Sequence, residues 1–196
     1  MSKLLLRRDV VKQLLAERGE LLVVAGLGAP AWDITSAGDH GLNFPLWGAM
    51  GGAAMLGLGL ALAQPRKKVL VITGDGEMLM GVGSLATIAV RQPRNLSIVV
   101  LDNERYGETG QQRTHTAYGV DLAAMAKAAG IVQARVVRKA EELAPLRQAI
   151  HAGAGTLFAQ VKVDPARLPL VLPPRDATLL KHRFRAALLG AGAAHQ

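Results

Sequence analysis

The sequence contains no cysteine. Disulfides, cysteine-based zinc sites, cysteine-ligated iron–sulfur clusters and a cysteine nucleophile are thereby excluded within its 196 residues. Aromatic residues are scarce, at 4 %, whereas half of the chain is hydrophobic and glycine and alanine abound. That balance fits an α/β protein with close helix–sheet packing better than an all-β sandwich. The start, Met1-Ser2-Lys3 followed by Arg7 and Arg8, lacks the long apolar region and cleavage site of a signal peptide, which predicts a cytoplasmic protein. The stretch Leu46 to Ala63 is 18 residues without a charge, the lower limit for a membrane span. Five of those residues are glycine and five alanine, so a buried glycine-rich helix is expected and no membrane association. The length suits one domain with a sizeable core.

The net charge is +8, with 23 basic against 15 acidic residues. The bases are dispersed: Arg7/Arg8, Arg66-Lys67-Lys68, Arg135/Arg138 and Lys181-His182-Arg183 lie far apart with few aromatics between them. No nucleic-acid motif accompanies the charge, so an anionic ligand or acidic protein partner is the better reading.

Strand and helix patterns alternate along the chain. An amphipathic helix is expected over 3–18, with Leu4, Val11, Leu14 and Leu15 on its apolar side, then a buried strand over 20–25. A short helix and a loop are expected in 29–48 and the glycine-rich helix in 49–63. Lys68–Thr73 reads as a central parallel strand, followed by a helix over 77–91 that Pro93 ends and a strand over 95–101. A loop to about Gly119 precedes a helix at 121–129, a strand near 132–137, a helix near 139–152 and a strand at 156–163. Residues 165–174 form a linker, and Asp176 caps a last helix carrying Leu180, Phe184, Ala187 and Leu188. Right-handed crossovers make this one domain, 1–196: a doubly wound, mainly parallel sheet with helices on both faces, with 165–196 a linker and C-terminal helix. Ligands of such sheets bind at the carboxyl ends of the strands.

Two of those ends carry oxygen ligands. Asp75 ends one strand within Gly74-Asp75-Gly76, and Asn103 ends the next. The 26 residues between Gly76 and Asn103 make one helix and one strand, the length of a crossover that brings Asp75 and Asn103 side by side. A carboxylate, an amide oxygen and a backbone carbonyl are hard ligands that leave an octahedron incomplete, as Mg²⁺ prefers when it shares its shell with phosphate and water. Glycines flanking Asp75 let a diphosphate approach the backbone. Each tripeptide alone is an ordinary turn; the spacing, together with Gly48-Ala49-Met50-Gly51 before the preceding helix, makes the set informative.

With those motifs on the page, the sequence resembles the diphosphate-binding domain of thiamine diphosphate (ThDP)-dependent decarboxylases. It is most similar to the β subunits of sulfopyruvate decarboxylase and the matching half of phosphonopyruvate decarboxylase. The matching stretches include Gly48-Ala49-Met50-Gly51, Gly74-Asp75-Gly76-Glu77-Met78-Leu79-Met80, Leu101-Asp102-Asn103 and Tyr106-Gly107-Glu108-Thr109-Gly110-Gln111-Gln112. The resemblance implies ThDP and Mg²⁺ as cofactors, with the metal held by Asp75, Asn103 and the carbonyl of Arg105. It implies that Gly74, Gly76 and Glu77 wrap the diphosphate, with Tyr106 and Gly107 beside it. Met50 would be the fulcrum that bends the cofactor, and the Gly48 carbonyl, beside Ala49, would accept its 4′-amino group. The glutamate facing the pyrimidine lies on another domain in this family, and 196 residues used by one domain leave no room for it. A pyrimidine-binding α subunit is therefore expected as partner, in a hetero-oligomer of at least α2β2 acting on a small 2-oxo acid.

Residues after the metal loop face the substrate in this reading, which makes Glu108, Thr109 and His115 the candidates for acid–base work; His115 equally reads as a loop histidine bonded to backbone. Where related sulfo- and phosphonopyruvate enzymes tend to carry an Arg-Glu pair, this chain has Gly28-Ala29-Pro30-Ala31-Trp32-Asp33-Ile34. The cation of that loop is missing, which opens the pocket to an apolar or aromatic 2-oxo acid as well as an anionic one. Three alternatives stay open: a carboligase, a 2-oxo-acid oxidoreductase β subunit, and a Mg²⁺-dependent nucleotide- or anion-binding module.

Overall fold

A computed structural model describes residues 4–190 and residue 192. A six-stranded sheet forms the middle layer. Its strands, in chain order, are β1 (Leu22–Ala25), β2 (Asn43–Pro45), β3 (Val69–Gly74), β4 (Leu96–Asp102), β7 (Gln133–Val137) and β8 (Leu157–Lys162). The two intervening strands, β5 (Arg105–Tyr106) and β6 (Gln112–Arg113), form a separate antiparallel hairpin. The main sheet runs β2-β1-β3-β4-β8-β7 and every pairing in it is parallel. Adjacent residues of the central strands point to opposite faces, so an unbroken apolar run feeds two cores. Val69 and Val71 of β3 face one core, and Leu70 and Ile72 the other.

Helices α1 (Arg7–Leu14), α2 (Ala29–Ser36) and α7 (Leu143–Ala152) cover one face. The other is covered by α3 (Ala53–Ala63), α4 (Asp75–Met80), α5 (Ser84–Arg91), α6 (Leu122–Ala129) and α8 (Ala177–Leu189). Helix α8 seats Phe184 edge-on against Phe44 of β2, ring centroids 5.4 Å apart. Its cap is the expected one: the Asp176 carboxylate accepts from the backbone N–H groups of Thr178 and Leu179.

Several element boundaries differ from expectation. Helix α1 starts at Arg7, because Leu5 instead bridges Val163 and its carbonyl accepts from Asp164 N–H at 2.8 Å. Leu4 is thus exposed, and residue 3, the first of the expected helix, lies outside the described residues. Residues 43–45 form an edge strand beside β1 where a loop is expected. Helix α3 begins at Ala53, not Ala49, since Ala49 (φ 57°) and Gly51 (φ 88°) are left-handed and incompatible with a helical turn. The helix expected over 77–91 is two helices broken at Gly81–Gly83. The cause is a crossing: a Cβ on Gly81 would fall 2.2 Å from the Gly51 carbonyl oxygen.

Helix α3 is buried on one side only. Ala53, Ala54, Leu58 and Ala61 face the sheet, with Gly57 so close that a Cβ would fall 2.2 Å from Val71. Its other side leaves Met55, Leu56 and Leu62 about two-fifths exposed, at 42, 40 and 41 %. Among the described residues no helix is long and apolar enough to cross a membrane.

Candidate functional site

The sheet order reverses at β1 and β3: from β1 the chain runs outward to β2, then returns across it to β3. Side chains and loops at such a reversal diverge and leave a crevice at the carboxyl ends. Here the crevice is a cavity of about 450 Å³ running from Arg7, Pro30 and Trp32 past Asp75 and Asn103 to Met50. Residues 165–168 and Leu170 close part of its rim.

Register fixes the centre of the site. Gly74 pairs with Leu101, so Asp75, the first residue beyond β3, emerges beside Asp102, the last residue of β4, which still pairs with Lys162 of β8. Asp75 is 1 % exposed. Its Oδ2 accepts from the hydroxyl of Thr114 and from that of Thr116 at 3.1 Å. Thr116 Oγ1 also lies 2.7 Å from Asp102 Oδ1 and 2.9 Å from Thr114 Oγ1. Two hydroxyl protons thus serve four oxygen–oxygen contacts, a shortage of positive charge around two carboxylates. Burial, reinforced by Asp102 and opposed by the Thr114 and Thr116 hydroxyls, pushes the Asp75 carboxyl up to about 6.

Asp102 is compensated from its other side. Lys162 Nζ lies 2.8 Å from Asp102 Oδ2 and 2.8 Å from Glu104 Oε1, and Gln160 Nε2 donates to Asp102 Oδ2 at 2.6 Å. Burial pushes Lys162 down, but the two carboxylates hold it above the ordinary lysine value. The chain then turns through Glu104, whose φ is 60°. Asp102 Oδ1 accepts from Glu104 N–H, and Asn103 Oδ1 accepts from Arg105 N–H at 3.0 Å. That bond uses one of the two lone pairs of the amide oxygen and fixes its direction.

These residues fit a divalent cation and a diphosphate. Neither threonine binds Asp75 Oδ1, Asn103 Oδ1 keeps an acceptor site, and a cation would relieve the shortage of positive charge. Among the described residues no three His, Cys, Asp or Glu side chains converge, so a mixed carboxylate, amide and carbonyl set is what the cavity offers. Gly74 has nothing within 4 Å of a would-be Cβ, leaving its backbone open to a ligand. A Cβ on Gly76 would fall 2.3 Å from the Tyr106 ring, which packs over that glycine.

Of the residues picked out by sequence, Met50, Gly74, Asp75, Gly76 and Glu77 line the cavity from one side. Asn103, Arg105, Tyr106, Gly107, Glu108 and Thr109 line it from the other. Gly48 and Ala49 lie in the turn before Met50 but not on the cavity wall, and His115 is exposed at the start of a 3₁₀ turn, away from it. Glu77 turns its side chain inward. Its Oε2 accepts from Thr73 Oγ1 at 2.8 Å, against Gly26, where a Cβ would collide. Its Oε1 has no partner in hydrogen-bond geometry among the described residues, although the Ala53, Gly51 and Leu27 amides lie near enough to favour the charged form. Burial wins, and its pKa is raised. Glu108 is exposed on the rim over Gly28; partial burial raises its pKa, opposed by Arg7. Sequence reasoning missed Thr114, Thr116, Gln160 and Lys162, all remote in sequence from Asp75. No periodicity signals them: Thr114 precedes and Thr116 lies within the 3₁₀ turn His115–Tyr118, and both hydroxyls reach Asp75 only through the fold.

A parallel, doubly wound sheet with a carboxylate, an amide oxygen and glycine at its reversal point belongs to the class of α/β proteins that bind ligands in the crevice at the strand ends. Residues 28–161 match the family described as thiamine pyrophosphate enzyme, C-terminal TPP binding domain (thiamine pyrophosphate, TPP, is ThDP). The chain belongs to that family. The sulfopyruvate decarboxylase subunit beta of Methanothermobacter thermautotrophicus is 38 % identical over 185 residues, covering 94 % of this chain and 96 % of that protein. The phosphonopyruvate decarboxylase of Streptomyces viridochromogenes is 36 % identical over 186 residues, which are 92 % of this chain but 45 % of that larger protein. Among solved structures, benzoylformate decarboxylase from Polynucleobacter necessarius superposes with a TM-score of 0.69 at 20 % identity, over 84 % of this chain and 34 % of the other. That last likeness is one of fold.

Proposed function

We propose that this chain is the ThDP- and Mg²⁺-binding subunit of a two-subunit 2-oxo-acid decarboxylase. The observation that carries the reading is the meeting of Asp75 and Asn103 at adjoining strand ends, over glycine backbone and beside a cavity that reaches Met50. In this reading Asp75 Oδ1, Asn103 Oδ1 and the Arg105 carbonyl hold the metal, Thr114 and Thr116 orient Asp75, and Lys162 orients Asp102 beneath it. Gly74 and Gly76 give their backbone to the diphosphate, and Met50 supports the rings. Bound ThDP supplies the electron sink that decarboxylation of a 2-oxo acid requires. This chain's own work is to hold, orient and enclose.

The remaining groups come from a partner. Met50 is 39 % exposed and Trp47 42 %, and both precede the uncharged outer side of α3. An apolar rim at the open end of the cavity is what a pyrimidine-binding subunit would cover. Relatives named as beta subunits support that pairing. The partner would supply the catalytic glutamate, with Glu108 and Thr109 on the substrate side of the rim.

Calorimetric titration of the complex, co-purified with its partner, tests the ligand. Mg²⁺-dependent binding of ThDP in preference to ATP is expected; binding of ATP without ThDP would make the chain a nucleotide module instead. The pH dependence of that titration follows from Asp75. A metal ligand must be deprotonated, and the free carboxyl titrates at about 6. Affinity for Mg²⁺ with ThDP is therefore expected to be flat above pH 7 and to fall about tenfold per pH unit below 6.

A further inference from the structure

The loop after β1 brings no cation to the cavity, but a distant part of the chain does. Arg7, the first residue of α1, lines the cavity beside Pro30 and Trp32 and is 7 % exposed. Its Nε donates to Asp33 Oδ2 in α2, and Arg8 Nε donates to Asp33 Oδ1 at 3.2 Å. The Asp33 side chain is fully buried. Two guanidinium charges on one carboxylate leave a net charge of +1, partly offset by Glu108 on the rim, whereas neutralising Asp33 needs only one. The two arginines also differ in what they reach. Arg8 donates to the carbonyl of Pro169 and so fastens the segment at the rim; Arg7 faces the cavity.

The position of Arg7 decides which ligand group it meets. Helices α1 and α2 pack on one face of the sheet, while α3, with Met50 just before it, packs on the other. Asp75 and Asn103 lie between, at the strand ends. A diphosphate held there, with the rings over Met50, would turn its free end toward the Arg7 side. That end carries charge that one Mg²⁺ does not fully offset once Asp75 adds its own. With Nε committed to Asp33, the two terminal nitrogens remain as the planar fork suited to phosphate oxygens.

We infer that Arg7 binds the terminal phosphate of the cofactor, held for that task by Asp33. The inference rests on the ThDP reading given above. Its test is calorimetric titration of the partner complex, with Mg²⁺ present, using ThDP and thiamine monophosphate on the natural protein, Arg7→Gln and Arg7→Lys. Arg7→Gln is expected to weaken ThDP by about 30-fold, the loss of a charge-assisted pair, and thiamine monophosphate by less than about twofold. Arg7→Lys keeps the charge without the fork and is expected to lose severalfold on ThDP alone. Equal losses for both ligands, or undiminished ThDP affinity, would overturn the inference in favour of a purely structural ion pair. If Arg7→Gln does not fold, the same two outcomes in Arg7→Lys decide. Failure of the natural complex to bind ThDP overturns the underlying reading along with it, and is seen before any variant is made.

Discussion

Replacing Asp75 with asparagine should leave a ligand-free chain at least as stable as the natural one, yet weaken Mg²⁺ and ThDP binding by about 100-fold or more. The two effects have one cause. Asp75 is almost completely buried, and its carboxyl is raised from 3.8 to about 6, first by burial and then by Asp102. A carboxyl raised in the folded state favours the protonated native protein. Its stabilising contribution is present below the unfolded value near 4, is lost as pH rises through 6, and above that the ionised group is a net cost. The shift corresponds to at most about 3 kcal/mol at neutral pH. Asparagine removes the charge and keeps an oxygen for the Thr114 and Thr116 hydroxyls, so part of that cost should be recovered. Thermal unfolding of the ligand-free variant would show a higher Tm at pH 7.5 and a flatter pH dependence between 4 and 6. A variant that is destabilised yet binds ThDP normally would make Asp75 a structural residue.

The second large effect is steric. Gly81→Ala is expected to cost about 3 kcal/mol and to weaken ThDP binding, because a Cβ there meets only backbone. The nearest atoms are the Gly51 oxygen at 2.2 Å, its carbonyl carbon at 3.0 Å and its Cα at 3.1 Å. No rotamer change relieves such a contact. The turn that must yield contains left-handed Ala49 and Gly51 and carries Met50 to the cavity, so stability and cofactor binding should fall together. Gly83, two residues on, is the control. Nothing lies within 4 Å of its Cβ position and its φ is −58°, so Gly83→Ala should change stability by no more than about 1 kcal/mol. Denaturant unfolding of both variants separates the crossing from general intolerance of alanine in this segment. Equal, small effects would contradict the account of the helix break.

Asp75 and Asn103 were legible in the sequence because their spacing is set by a single crossover, and parallel pairing leaves little freedom in where such strand ends meet. The central strands were legible for the same reason: a strand buried on both faces is continuously apolar. What failed to show were features decided by contacts between distant segments. The periodicity of Met78, Leu79, Val82, Leu85 and Ile88 runs straight through Gly81–Gly83, and only the crossing by Gly51 explains the break. Strand β2 is three residues long and ends in Pro45, too short for an alternation to register. Thr114 and Thr116 look like ordinary loop residues until the β5–β6 hairpin folds them back over Asp75. The substrate-loop comparison was incomplete in the same way. It located a missing cation after β1, but Arg7 enters that end of the cavity from 26 residues away, through Asp33.

The apolar outer side of α3 had a split reading as well. Its composition pointed to burial, and the fold buries only the half that carries Ala53, Gly57 and Ala61. In the proposed complex the exposed half is buried by the partner, which accounts for the absence of charge from Leu46 to Ala63.

The most direct measurement is CO₂ release from 2-oxo acids by three preparations: this chain alone, the pyrimidine-binding subunit alone, and the two co-expressed. The account predicts turnover from the co-expressed pair only, abolished by removing either ThDP or Mg²⁺ and restored by returning both. Full turnover from this chain alone, or turnover by the pair that persists without ThDP, would contradict it.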